Sequence, residues 1–208
     1  MLKTKHKISR NYILKIYKKY SNELLLLTEK LRPRYEIINK KSRATFSDFE
    51  GEILYCLIRD RKPKIFYEVS PDCGYSSIYI TSAFRKNGLG KILSFEIEPY
   101  KFSQKTEELI KNNLEGFDYE NHDIIIGDVT QTHKGYQNPD MVLIDSCHEK
   151  WFAKWYLREL FPKTNDLIFL QDIVFSDRME YSGEAEETLK YLKNRNYLSL
   201  GVLEKEAN

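Results

Sequence analysis

A chain of 208 residues, 41% apolar and 31% charged, is long enough to close one core and too apolar for a disordered polypeptide. Its longest aliphatic run, Leu24-Leu25-Leu26-Leu27, is far too short to span a bilayer, and the basic N-terminus lacks the apolar stretch and cleavage site of a signal peptide. Cys56, Cys73 and Cys147 are odd in number and contain no C-x-x-C pair, which argues against a disulfide framework or zinc knuckle and for a reducing, cytoplasmic setting.

The net charge of +2 conceals an uneven distribution. Residues 1–43 hold thirteen Lys and Arg against three Glu, a charge of +10, which leaves −8 for the remainder. Such an arm suits an acidic partner: nucleic acid, a nucleotide-sugar or phosphorylated glycan, or the acidic body of the protein itself. A solvated helix face is the plainer reading.

From the N-terminus, Ile13, Ile16, Tyr17, Tyr20, Leu24, Leu27 and Leu31 recur at the spacing of one helix face, and Pro33 is expected to end that helix. Residues 1–45 thus read as a basic helical extension, ahead of a domain over 46–208. Ser47, with Glu50 three residues on, reads as a capping box opening a second helix that turns Phe49, Ile53, Leu54 and Leu57 inward and stops before Pro63. Residues 64–69 (KIFYEV) form a strand, 76–86 a helix broken at Asn87-Gly88-Leu89-Gly90, and 91–97 (KILSFEI) a second strand. A helix over 99–114 with Pro99 in its first turn follows, then strands at 122–126, 140–144 and 166–170. A helix at about 149–161 joins the last two, and a helix over 183–194 and a closing strand over 197–203 complete the chain.

Short apolar strands alternating with helices predict an α/β fold: a doubly wound, mostly parallel sheet of six or seven strands with helices on both faces. Its edge is expected to be covered by the N-terminal helix or by a second copy in a homodimer.

In an open parallel sheet, ligands bind beyond the carboxyl ends of the strands. Those ends read Glu68-Val69-Ser70-Pro71-Asp72-Cys73-Gly74-Tyr75-Ser76-Ser77, then Glu96-Ile97-Glu98-Pro99, then Gly127-Asp128, Asp145-Ser146-Cys147-His148 and Gln171-Asp172. Every strand finishes on or beside an acid. Gly74 lets backbone approach a ligand closely, and Ser76 and Ser77 open a helix whose N–H groups can receive an anion.

This order resembles class I, Rossmann-like S-adenosylmethionine (SAM)-dependent methyltransferases, above all the short O-methyltransferases whose first motif runs E-[IV]-G-x-x-x-G-x-S-[TS]. Glu68 to Ser77 follow it with one departure, Ser70 at the first Gly. The resemblance implies a cofactor loop of Glu68, Ser70, Gly74, Tyr75 and Ser76, with Glu96 binding the ribose hydroxyls and Asp128 and Asp145 close to the adenosyl group. Glu68 could instead be a structural acid, Glu98 could replace Glu96, and Asp128 could serve only a turn. In catechol-type and macrolide-sugar relatives, acids at the places of Asp145 and Asp172 bind Mg²⁺; here Gln171 would be the third ligand, a set that a hard cation could accept. His148 stands where the family pattern I-D-G-x-H has its His, and is a candidate general base, metal ligand or structural residue.

Asp145, His148 and Asp172 are therefore the candidate catalytic residues. Trp151, Phe152, Trp155 and Tyr156 read as core, with Trp151 able to stack on a sugar ring if it faces the cleft. Residues 174–182 suit a flap carrying Arg178 and Tyr181. His6, His122 and His133 read as surface or strand-edge residues. The expected acceptor is a small molecule or glycan, a sugar hydroxyl first and a catechol second; nucleic acid is disfavoured because no RNA-stacking motif is present. The competing readings are a nicotinamide-dependent oxidoreductase, which the missing G-x-G-x-x-G disfavours, and a non-catalytic domain that binds through its basic helix.

Overall fold

Alternate residues of each strand bury into different apolar layers, and that alternation organises the computed structural model, which describes residues 8–42, 46–97, 105–171 and 182–193. In β1 (Ile65–Val69), Phe66 joins one layer while Tyr67 and Val69 join the other. The same split separates Ile92 from Leu93 and Phe95 in β2 (Lys91–Glu96), and Ile124 from Ile125 in β3 (His122–Ile126). It also separates Met141 and Leu143 from Val142 and Ile144 in β4 (Met141–Ile144), and Leu167 and Phe169 from Leu170 in β5 (Leu167–Leu170). Strands buried on both faces need apolar residues in succession, which is how they read in the sequence.

The five strands pair in parallel in the order β3-β2-β1-β4-β5. The chain steps outward from β1 to β3 and then crosses to the other side of β1, so the switch point falls between β1 and β4. One layer is completed by α1 (Arg10–Ser42), α2 (Asp48–Arg61), α3 (Tyr75–Asn87) and α4 (Thr106–Asn113). The other is completed by α5 (Val129–Thr132), α6 (Lys150–Glu159) and α7 (Ser182–Lys193). The doubly wound α/β architecture is therefore present. The expected closing strand at 197–203, and the expected helix start at Pro99, lie outside the described residues.

Two expectations are corrected. Pro33 does not end α1, which runs on to Ser42. An interior proline costs a helix about 3 kcal/mol through its missing N–H and its ring. Here tertiary contacts on both sides hold the helix. Leu31 and Ile38 are each 2% exposed in the core, Lys30 Nζ donates to Gly116 O at 2.5 Å, and Arg34 Nη1 donates to Asn113 O at 3.0 Å. Phe49 is 58% exposed rather than inward. Helical side chains lean toward the N-terminus, so a large residue in the first turn projects past the layer that buries Ile53, Leu54 and Leu57. The Ser47–Glu50 capping box itself is formed in both directions.

Several α1 cations meet the acidic body. Lys19 Nζ donates to Asp60 Oδ1 at 2.8 Å, and Arg34 pairs with Glu115. The reverse also occurs, with Glu23 on α1 held by Arg59 and by the Tyr55 hydroxyl of α2. Among the described residues no helix is long and apolar enough to cross a membrane.

The α2–α3 contact is close because Gly51 lacks a side chain: a Cβ there would stand 2.4 Å from the Tyr79 ring. Gly51→Ala is therefore expected to lower stability by about 1–3 kcal/mol through overpacking, despite alanine's better helix propensity. Urea unfolding followed by circular dichroism checks this; an unchanged or raised midpoint would show that Tyr79 yields freely.

Candidate active site

In four of the five strands the residue just beyond the strand makes one further ladder bond. The Ser70 N–H donates to Phe95 O at 2.9 Å, Gly127 N–H to Glu96 O at 2.8 Å, Asp145 N–H to Val69 O at 3.2 Å, and Gln171 N–H to Ile144 O at 3.0 Å. The loops after the strands consequently open from one rim.

The loop after β1 is tightly wound, with Ser70 at φ 67, Asp72 at φ 50 and Gly74 at φ 84. A non-glycine residue in the left-handed region costs roughly 1–2 kcal/mol, which explains why a glycine would suit position 70. At Gly74 an added Cβ would also meet Ile110 Cγ2 at 3.1 Å. Gly74 is the N-cap of α3 and supplies no side chain to its first-turn N–H groups, which have no partner in the preceding turn of helix.

Glu68 anchors this helix to the sheet. It is 0% exposed; its Oε1 accepts from Ser76 Oγ at 2.7 Å, and its Oε2 accepts from Ser77 Oγ at 2.8 Å and Ser94 Oγ at 2.5 Å. Burial pushes the Glu68 carboxyl pKa up, and the three hydroxyls pull it back. Ser94 spends its proton on Glu68, so His122 Nε2, 2.8 Å from Ser94 Oγ, must be the donor. Desolvation lowers the His122 pKa to about 4, which keeps that ring neutral. Tyr75 turns its ring into the α2–α3 contact, where its hydroxyl donates to Asp48, so its contribution to the loop is backbone.

Glu96 is buried at the end of β2 and faces the same loop. Its Oε2 accepts from Asp72 N–H at 2.8 Å and its Oε1 from Ile97 N–H at 2.8 Å. Burial raises its pKa to about 7 against the help of those two N–H groups. Asp128 is the N-cap of α5, with Oδ1 accepting from Thr130 N–H at 2.8 Å. Asp145 and Gln171, at the ends of adjacent strands, meet: with the Gln171 amide turned to satisfy its partners, its nitrogen donates to both Asp145 oxygens, at 3.1 Å to Oδ1.

His148 Nδ1 lies 2.7 Å from Glu184 Oε2, a residue of α7 that the sequence reading did not single out. Asp172, with Glu98, Arg178 and Tyr181, lies outside the described residues, as does His6. His133 is not a surface residue. It is 5% exposed, its Nδ1 donates to Val129 O at 2.7 Å, and its ring meets Trp155 edge-on, because the turn after α5 tucks beneath α6. Trp155 is 9% exposed and packed as expected of core, whereas Trp151 is 58% exposed. Both border a cavity of about 380 Å³ between α5 and α6, with Thr130, Gln131, Lys134 and Arg158 on its walls.

With a glycine-capped helix, a buried acid on the second strand and an Asp on the fourth along one rim, the comparison with known proteins is specific. Residues 71–170 match a family described as a methyltransferase domain. That match spans a little under half of the chain. No curated protein matches the chain. Among solved structures, an O-methyltransferase from Bacillus cereus in complex with SAH is similar at TM-score 0.61 and 14% identity, over 86% of each chain. The SAH-bound methyltransferase PaMTH1 from Podospora anserina is similar at TM-score 0.58 and 16% identity, over 91% of this chain and 88% of that one. The O-methyltransferase TomG from Streptomyces achromogenes, involved in tomaymycin synthesis and solved with SAM, gives TM-score 0.55 and 17% identity over 72% and 69%. The fold is thus Rossmann-like, as the motif order implies.

An acid with a raised folded pKa holds an extra proton in the folded state, so stability falls as pH rises between the unfolded and folded values. For Glu96 that window runs from 4.5 to about 7. Urea midpoints measured from pH 5 to pH 8 are expected to decline, and Glu96→Gln to flatten part of that decline. An identical slope in the variant would show that Glu96 ionises normally.

Proposed function

We propose that the chain is a SAM-dependent O-methyltransferase acting on a hydroxyl of a small molecule or glycan, a sugar being the first choice. The observation that carries the reading is the β1–α3 loop, in which a left-handed Gly74 leaves the α3 N-terminus without a side-chain cap and buried Glu96 faces the loop backbone. The uncapped helix end suits the methionine carboxylate, and a carboxylate with lone pairs remaining suits the vicinal ribose hydroxyls. Glu68 acts beneath them by fixing Ser76 and Ser77.

SAM supplies an electrophilic methyl group on a sulfonium. The chain's own work is to place the acceptor oxygen in line with that methyl, exclude water and take the hydroxyl proton; positioning alone can supply several kcal/mol, on the order of 7–11 in favourable cases. His148 takes the proton, and Asp145 stands beside the reacting groups. Trp151, at the start of α6 and six residues beyond Asp145, offers its exposed face to a sugar ring.

A divalent cation at Asp145, Gln171 and Asp172 is a second reading, favoured by the convergence of Asp145 and Gln171. Among the described residues no three of His, Cys, Asp and Glu assemble a metal site. Chelation decides: loss of turnover with EDTA and recovery with Mg²⁺ would establish the metal, and unchanged turnover would remove it.

Isothermal titration is expected to give heat with SAM and with SAH and none with NAD. Glu96→Gln should weaken SAM by about 10–100-fold, the worth of charge-assisted hydrogen bonds. Absence of heat with both SAM and SAH would reject the function. A survey with methyl-labelled SAM over free sugars, nucleotide-sugars and catechols then identifies the acceptor.

A further inference from the structure

His148 and Glu184 are 36 residues apart in sequence and meet where α6 and α7 begin. The two helix starts are in close contact: a Cβ on Gly183 would lie 3.2 Å from Lys150 Cβ. Glu184 is 3% exposed, which for a carboxylate demands partners. It has one on each oxygen. Oε2 accepts from His148 Nδ1 at 2.7 Å, and Oε1 accepts from the Tyr156 hydroxyl at 2.9 Å, with Thr188 Oγ1 2.7 Å beyond. Glu184 also lies in the first turn of α7, at the positive end of the helix dipole.

This arrangement exceeds what joining two helices requires. A carboxylate can only accept, so Nδ1 carries a proton, and in the neutral ring Nε2 is then the nitrogen with the accepting lone pair. Free histidine favours the opposite tautomer. Tyr156 is in turn 0% exposed and fixed by Thr188, so the carboxylate is held from behind.

We infer that Glu184 is a positioning residue that fixes His148 as the Nδ1–H tautomer and steadies it as the base, an inference that rests on the methyl-transfer reading for its chemical consequence. As the acceptor oxygen forms its bond to the methyl carbon, its proton passes to Nε2 and the S–C electron pair stays on sulfur. The imidazolium so created faces the Glu184 carboxylate through Nδ1–H, and the new charge is neutralised at that contact.

The test begins with ¹⁵N-labelled protein without ligand, at a pH where the ring's own nitrogen shifts show it neutral. Long-range ¹H–¹⁵N spectra, assigned with a His148→Gln control, are expected to show a protonated Nδ1 and a bare Nε2 for His148. Glu184→Gln, whose amide oxygen can still accept, should keep that tautomer, and Glu184→Leu should lose it. On the acceptor that the labelled-methyl survey selects, kcat is expected to fall about 10-fold for Glu184→Gln and about 100–1000-fold for Glu184→Leu, with KM and SAM affinity within about three-fold. A wild-type Nε2–H tautomer, or a folded Glu184→Leu enzyme with undiminished kcat, would overturn the inference. If Glu184→Leu does not fold, the wild-type and Glu184→Gln spectra decide alone. If SAM and SAH give no heat, the methyl-transfer reading falls while the tautomer still decides the dyad.

Discussion

The buried carboxylate of Glu68 is the contact on which the rim depends. A fully buried acid is costly unless satisfied, and three serine hydroxyls from α3 and β2 satisfy this one. Those bonds tie the N-terminus of α3 to the central strands and leave the loop between them, residues 70–74, little freedom except to wind through left-handed conformations. Loop geometry and Glu68 are thus two aspects of one constraint. With His122 behind Ser94, the chain of donors crosses β1, β2 and β3 within a layer that is otherwise apolar.

A second polar group, His148 with Glu184, Tyr156 and Thr188, stands on the opposite face of the sheet. The fold therefore has one network under its β1 loop and another where α6 and α7 begin, with the β1–β4 switch point between them. Each network is built from groups that cannot relax without leaving a buried polar atom unpaired.

The basic arm takes part in the fold through its burial rather than its charge. Ile16, Tyr20, Leu24, Leu27, Leu31 and Ile38 join the layer beneath α2 and α3, while Lys19 and Arg34 answer acids of the body. Leu14, Leu25 and Leu26 stay exposed on the outer side of the same helix.

The amino-acid sequence by itself determined the strand and helix order, the capping box at Ser47 and Glu50, and the acids along the rim. These are local signals: burial on both faces imposes apolar runs, and a helix start needs its cap within three residues. It also carried the family resemblance, because the run from Glu68 to Ser77 with Gly74 is legible without any tertiary contact. Only the tertiary structure decided that α1 continues through Pro33, since Ile38 and the Arg34 contact act over long sequence distances that helix propensity does not see. Likewise it alone showed that Phe49 faces solvent, that His133 is buried under Trp155, and that Asp128 caps a helix. Glu184 is the sharpest case. Nothing in Gly183-Glu184-Ala185 marks it as different from the other glutamates of α7, and its role follows from the packing of two helices that the sequence separates by a whole strand.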